Sequence, residues 1–320
     1  MALFRWRGTT NTVFSTDSNW VDEAGVAYGA GRYPGSLALT YDDVMLDVAV
    51  TNGCATAAGY DAVGAADTML RSFSVAPAYD KAVGQNIANP IDIEIAHDTD
   101  PQTEDSEVII EGDNAGDIFL CGGGTDGLLR VTVNNMKSGS TLYLDEKVGT
   151  LRCMRGTVVL DTAINVATEF TIGYVNSQST DANVTIPSGA TIPATVNCNG
   201  GQITCYLAIT TLYLTGGTWT QTVDGANNYG DVAALHMSGN KPNFRWYAGD
   251  IALADVYAGE LDGSQPCAFG REFTIIKVYP GGKVNLADDL QNNTVAEGGY
   301  IQYFGGEVDW GMGQKLLPIP

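Results

Sequence analysis

No stretch of this sequence approaches the ~18 consecutive apolar residues that a membrane-crossing helix requires. No membrane partner is expected. Histidine is almost absent, with only His97 and His236. The six cysteines, Cys54, Cys121, Cys153, Cys198, Cys205 and Cys267, form no C-x-x-C pair. Zinc needs tighter local pairing than this, and no metal or cofactor site is expected. Basic residues are scarce: 16 Lys and Arg stand against 37 Asp and Glu, a net charge of −21. Such a surface repels phosphate, so no nucleic-acid partner is expected. Long amphipathic helical patterns are also missing. The best helical candidate, Gly64 to Ser72, is short.

What is present points to strands. Apolar residues make up 44% of the 320 positions, enough for a substantial core. Glycine is abundant at 39 residues. With Asn, Asp and Thr it punctuates short runs rich in Val, Ile, Thr, Tyr and Leu. Those turn residues tolerate left-handed backbone or bond their own main chain, so the pattern reads as many short strands with tight corners.

One phrase recurs in the second half: an alternating strand, a glycine corner, then a second alternating strand. Its versions begin at Leu151, Val196, Leu212, Phe244, Val278 and Ile301. Gly139, Gly156, Gly173 and Gly189 follow one another at 17, 17 and 16 residues, and Gly201 and Gly217 are 16 apart. The later corners, Gly249, Gly282 and Gly306, are spaced irregularly, as loop insertions would make them. A unit this small cannot bury its own apolar face, and stacking closes the core. The expected fold is therefore all-β, a single-stranded β-solenoid (β-helix) with an N-terminal cap module. A β-sandwich is the alternative, because X-Gly-Gly-X also makes hairpin turns. Asn199 and Asn285 are expected to supply left-handed corners.

The expected organisation is a cap module over residues 1–50, an irregular β region with loop insertions over 51–135, and a solenoid body with a C-terminal tail over 136–320. Strands are expected at Ile91–Ile95, Val108–Glu111, Ile118–Cys121 and Leu128–Val133, with an exposed loop over Asp98–Glu107. Alternation places Cys153, Val158 and Leu160 inside, or their neighbours if the register flips. Cys153 and Cys198 fall on apolar slots and are expected to be buried free thiols. A Cys198–Cys205 bridge stays open as an alternative.

No catalytic residue is assigned and no enzymatic activity is expected. Asp255, Glu260, Asp288, Asp289 and Asp309 qualify as acid–base carboxylates only because acids are common here, and nothing in the spacing singles out Lys283 or Arg271 beside them. His97 and His236 lack a G-x-S-x-G serine elbow. Cys121-Gly-Gly-Gly-Thr-Asp-Gly127 lacks the Lys-Ser/Thr of a phosphate loop and reads as a turn. Glu111–Asp117 clusters oxygen ligands but does not match a calcium-binding EF-hand loop. Trp219, Trp246 and Trp310 each adjoin a glycine corner. They form a sugar platform if they face outward, and core if they face inward.

The opening residues carry a resemblance. Trp6-Arg-Gly, Phe14-Ser-Thr-Asp-Ser-Asn-Trp20, Tyr33-Pro-Gly35 and Asp42-Asp-Val-Met-Leu46 follow an order that resembles the start of secreted and virion-associated β-solenoid proteins. In that pattern Trp6 and Trp20 plug the first coil, Pro34-Gly35 turns, and Val44 and Leu46 begin the first rung. The longer stretch Ser36–Tyr41 departs from it. The segment Met1–Gly8 lacks the apolar core of a signal peptide. That tilts the resemblance towards bacteriophage virion proteins folded in the host cytoplasm, most like a capsid decoration (cement) protein or head fibre. The resemblance implies a location on the capsid surface, the major capsid protein as partner, and self-association, with a trimer favoured. Met1–Gly8 and Lys315–Pro320 are the expected attachment elements. A tail-fibre or tailspike component binding host surface glycan is the alternative.

Overall fold

The computed structural model describes residues 2–34, 36, 42–54, 70–93, 107–111, 116–123, 128–134, 139–174, 182–265, 271–287 and 293–309. Among these there is no α-helix, only the short 3-10 turn Asp17–Asn19. The chain divides into two compact units, residues 1–170 with 190–192, and residues 171–189 with 193–320.

The strands that build the first unit are β1 (Leu3–Trp6), β2 (Trp20–Val21), β3 (Asp42–Leu46), β4 (Leu70–Val75), β5 (Ile91–Ile93), β6 (Val108–Ile110), β7 (Ile118–Gly122), β8 (Leu128–Val133), β9 (Thr141–Cys153), β10 (Gly156–Leu160) and β11 (Asn165–Ile172), whose last two residues pass into the second unit. One parallel ladder runs β1–β3–β4–β6–β8, the second half of β9, then β11. Another runs β5–β7, the first half of β9, then β10. β9 serves both ladders by turning at Glu146, a non-glycine residue at φ 58°. The expected helix from Gly64 is not borne out where it can be seen. Leu70–Ser72 begin β4, because Leu70, Phe73 and Val75 fall on core positions of the ladder; residues 64–69 lie outside the described residues. Of the expected strand Ile91–Ile95, only Ile91–Ile93 is described. The loop at 98–107 lies outside the described residues except for Glu107, and Gly35 and residues 37–41 lie outside them as well.

The N-terminal residues form a plug, as the opening motif implied. Phe4, Trp6, Phe14 and Trp20 are all fully buried. Trp20 meets Trp6 and Phe14 edge to face, at centroid distances of 4.9 and 5.0 Å. The indole N–H groups are satisfied by carbonyls: Trp20 donates to Phe14 and Trp6 to Asn52. The antiparallel pairing of β1 with β2 folds this plug onto the first rung, where Val44 and Leu46 are buried. Asp42 is buried beside them and takes two bonds from the Arg32 guanidinium, each 3.1 Å. Such a pair holds the chain's path because removing Arg32 would strand the buried Asp42 carboxylate.

The second unit contains β12 (Ala182–Ile186), β13 (Thr195–Cys198), β14 (Gln202–Cys205), β15 (Ile209–Leu214), β16 (Thr218–Gln221), β17 (Val232–Met237), β18 (Asn243–Trp246), β19 (Ile251–Val256), β20 (Gly259–Asp262), β21 (Arg271–Val278), β22 (Gly282–Asn285), β23 (Asn293–Tyr303) and β24 (Glu307–Asp309). The odd-numbered strands β13 to β23 form one parallel ladder, and the even-numbered strands β12 to β24 form the other.

This pairing decides between solenoid and hairpin. β13 and β14 flank the Gly200-Gly201 corner, yet β13 pairs with β15 and β14 with β16, both in parallel. The fold is a β-solenoid. Successive coils stack about 4.8 Å apart. Inward residues align in columns such as Val196–Leu212–Leu235–Ala254–Ile276, every one buried. Each large apolar side chain in such a column contributes about 1.5–3 kcal/mol by leaving water.

The corners are glycine-dependent where coils touch. Gly217 has φ 76° and stacks so closely on Gly201 that a Cβ would collide with the Gly201 carbonyl oxygen. Asn199 and Asn285 do not take left-handed geometry. The non-glycine residues at positive φ among those described are Glu146, Asn227 and Lys241. Gly201 takes the left-handed turn beside Asn199. Asn199 accepts from the Thr215 hydroxyl one coil on, at 2.8 Å, and Asn285 accepts from the Ala287 amide.

Candidate functional site

Of the three tryptophans beside glycine corners, the two described are core. Trp219 and Trp246 are fully buried, and Trp310 lies outside the described residues. Trp219 donates to Gln221 Oε1 at 3.0 Å, and Gln221 Nε2 donates to the Leu207 and Gly230 carbonyls. Arg271 is also interior. It is fully buried, donates to the carbonyls of Trp246 and Gly263, and sits over the Trp246 ring. Through these bonds it organises backbone.

Lys283 pairs with Glu260 at 2.9 Å across one coil step. Asp309, on β24, lies within electrostatic reach of Lys283 and lines the same hollow. Asp288, Asp289, His97, Cys267 and the tail residues 310–320 lie outside the described residues. Glu111 accepts from Asn134, and Asp117 accepts the Thr141 amide, so these two carboxylates are engaged by the chain itself; Asp113 lies outside the described residues. Among the described residues no three His, Cys, Asp or Glu side chains converge on a metal position. Gly122 ends β7, and the Gly123 amide donates to the Ile93 carbonyl, as strand continuation requires.

The five described cysteines are free and buried. Cys198 and Cys205 therefore form no bridge. Burial pushes the Cys153, Cys198 and Cys205 thiols up to about 12, and Cys54 and Cys121 also upwards, far from nucleophilic activation.

The solvent face of β13–β23 gathers the side chains with chemistry. Parallel register carries each outward position into a row. One row reads Asn197, Tyr213, His236, Asp255, Lys277 and Gln302. The Tyr213 ring stacks on the His236 imidazole at 5.0 Å. His236 Nδ1 lies 3.1 Å from Asp255 Oδ2, and Lys277 Nζ lies 3.5 Å from Asp255 Oδ1. Asp255 is 8% exposed, and its Oδ1 is a buried oxygen with no hydrogen-bond partner.

The position just beyond the strand ends forms the neighbouring row. Backbone bonds from Thr215, Ser238, Tyr257, Tyr279 and Phe304 to the preceding coils fix it. Tyr257, Tyr279 and Phe304 make a continuous ring stack, with centroids 4.1 and 4.7 Å apart and planes within 14° of parallel. On the same sheet, the Asp231 carboxylate accepts the Asp250 amide, and the Asp250 carboxylate accepts the Glu272 amide. These acids border a shallow groove floored by Ala233 and Ala252.

Sequence reading singled out His236 and Asp255 separately and missed both the pair and the ring stack. A signal was present. Asp255-Val-Tyr-Ala-Gly, Lys277-Val-Tyr-Pro-Gly and Gln302-Tyr-Phe-Gly repeat one order: polar outward, inward residue, ring, then a corner. Unequal coil lengths hide that phase until the strands are aligned.

The last coil differs from those beneath it. Val295, Ile301 and Tyr303 lie in register on Phe273, Ile276 and Val278, and Val308 on Val284, all four lower residues being buried. Yet Val295 is 46% and Tyr303 62% exposed. A hollow opens there, lined by Lys283, Ile301, Tyr303, Gly306, Glu307, Val308 and Asp309.

Comparison with known proteins gives no match to a family model, a curated protein or a solved structure.

Proposed function

We propose that this chain is a structural virion protein of a bacteriophage, a capsid decoration protein that docks on the major capsid protein at the outer capsid surface. The observation that carries this reading is the uncovered last coil. Core positions that are buried in the preceding coil stand open in β23 and β24. Among the described residues no strand pairs with the outer edge of β23 or β24, and such an edge invites a partner strand or an apolar surface. Phe4 and Trp6 are consumed inside the N-terminal aromatic plug and offer a partner no free ring. Docking then falls to the last coil and the tail that follows it. The net charge of −21 favours solubility at high copy number.

The test is occupancy on capsids assembled from the major capsid protein. Wild-type chain is expected to co-sediment in hundreds of copies and to raise the temperature at which capsids rupture. Val295→Asp with Tyr303→Asp, folded by circular dichroism, is expected to lose occupancy at least tenfold. No co-sedimentation of wild type, or unchanged occupancy of the double variant, defeats the docking proposal.

A further inference from the structure

We propose that the solvent face of the second unit carries an oligosaccharide-binding site built on the open ring faces of Tyr213 and Tyr257. The site is separate from the docking coil and rests on different residues.

Stacked rings cover one another, so a ladder offers a ligand only its terminal faces. Tyr257 has one face covered by Tyr279 at 4.1 Å, yet it is 45% exposed. That exposure has to come from its edge and its opposite face. The opposite face looks along the row towards Ser238, whose small side chain leaves room there. Tyr213 repeats the arrangement: one face lies on His236, and the residue is 44% exposed. The other face of each ring looks towards the preceding coil, that of Tyr213 towards Asn197 and that of Tyr257 towards Ser238. The two rings are two coils and two strand residues apart, roughly 12 Å by strand geometry. That separation suits two sugars of one chain rather than one ring.

The groups around these faces are polar. His236, Asp255 and Ser238 adjoin the step in front of Tyr257. Asp255 is held between His236 at 3.1 Å and Lys277 at 3.5 Å, which fixes a polar cluster beside the ring. A pyranose matches this pairing, because its C–H face lies on a ring while its hydroxyls donate to carboxylate and imidazole acceptors. A planar apolar ligand would need enclosing walls, and these rings stand on an open surface. The strongly acidic chain selects against anionic sugars, so the ligand class is a neutral oligosaccharide.

The test is an array of neutral and anionic oligosaccharides probed with the full chain, followed by calorimetric titration of the best neutral binder. Binding is expected to weaken at least tenfold in Tyr257→Ala and in Tyr213→Ala. It is expected to survive in Tyr257→Trp, which restores a ring and controls for folding. Tyr303→Asp, at the docking coil, should bind sugar like wild type. Binding of no neutral sugar, preference for anionic sugars, or indifference to both alanine substitutions overturns the proposal.

Discussion

Tyr257 and Tyr279 lie face to face, with ring centroids 4.1 Å apart and planes 14° from parallel. They occupy equivalent positions of successive coils, so the coil rise itself sets the stacking distance. The Tyr257 hydroxyl is held above the ordinary tyrosine range, first by its hydrogen bond with Tyr279 and then by burial. A raised value means the folded state holds the proton more tightly. The contribution is complete below the ordinary tyrosine pKa and is lost as pH rises through the folded value. Tyr279→Phe keeps the stack and removes that hydroxyl. Tyrosinate absorbance should then show Tyr257 ionising at lower pH; an unchanged titration would contradict the hydroxyl contact.

Asp224 gives the acid-side counterpart. Bonds from the Asn228 side chain and amide, then from Ser188 and Ala226, hold its carboxyl down to about 2. A depressed value contributes stability above the ordinary carboxylate pKa and loses it as pH falls through about 2. In Asn228→Ala the Asp224 carboxyl should titrate closer to the ordinary aspartate value. Carbon-detected NMR across the acid range reads this directly.

The buried Trp219–Gln221 pair predicts a large stability effect. Gln221→Ala leaves the Trp219 N–H and the Leu207 and Gly230 carbonyls without this partner. Stranding buried polar groups costs about 1–3 kcal/mol each. Trp219→Ala removes the ring and should cost about 3–5 kcal/mol. Denaturant melts should rank Trp219→Ala and Gln221→Ala well below an outward substitution on the same strand, Thr220→Ala. Equal midpoints would show that the column does not hold the coil.

Arg271 should behave as a structural residue. Arg271→Ala removes donors to the Trp246 and Gly263 carbonyls and is expected to cost about 3–5 kcal/mol. Thermal unfolding measures it. A neutral effect would mean water replaces the guanidinium.

The five buried thiols should resist modification in the folded chain. Cys153, Cys198 and Cys205, pushed up to about 12 by burial, are expected to react with a disulfide reagent only on unfolding. Rapid labelling of Cys198 in native protein, located by peptide mass spectrometry, would show that the corner opens.

The N-terminal cap was readable because its residues are distinctive. Trp6, Trp20, Val44 and Leu46 have one physical use in that order, and they are buried where the motif implies. The solenoid was readable from glycine spacing, but its rival, the hairpin, has the same local sequence at Gly200-Gly201. Only the partners of β13 and β14 separate the two. The burial of Phe4 and Trp6 within Met1–Gly8 comes only from the tertiary fold, which packs them inside the plug.

The sequence by itself determined the class: alternation with period two, glycine corners, an aromatic plug and a strongly acidic surface. These are local properties, set by side-chain chemistry and backbone freedom residue by residue. Tertiary structure alone decided which distant residues share a row. His236 meets Asp255, and Tyr257 meets Tyr279, because parallel register adds up loops of unequal length before placing side chains next to one another. The inward burial of Trp219 and Trp246 was settled in the same way, since a strand's two faces are equivalent until a stack assigns one of them to the core.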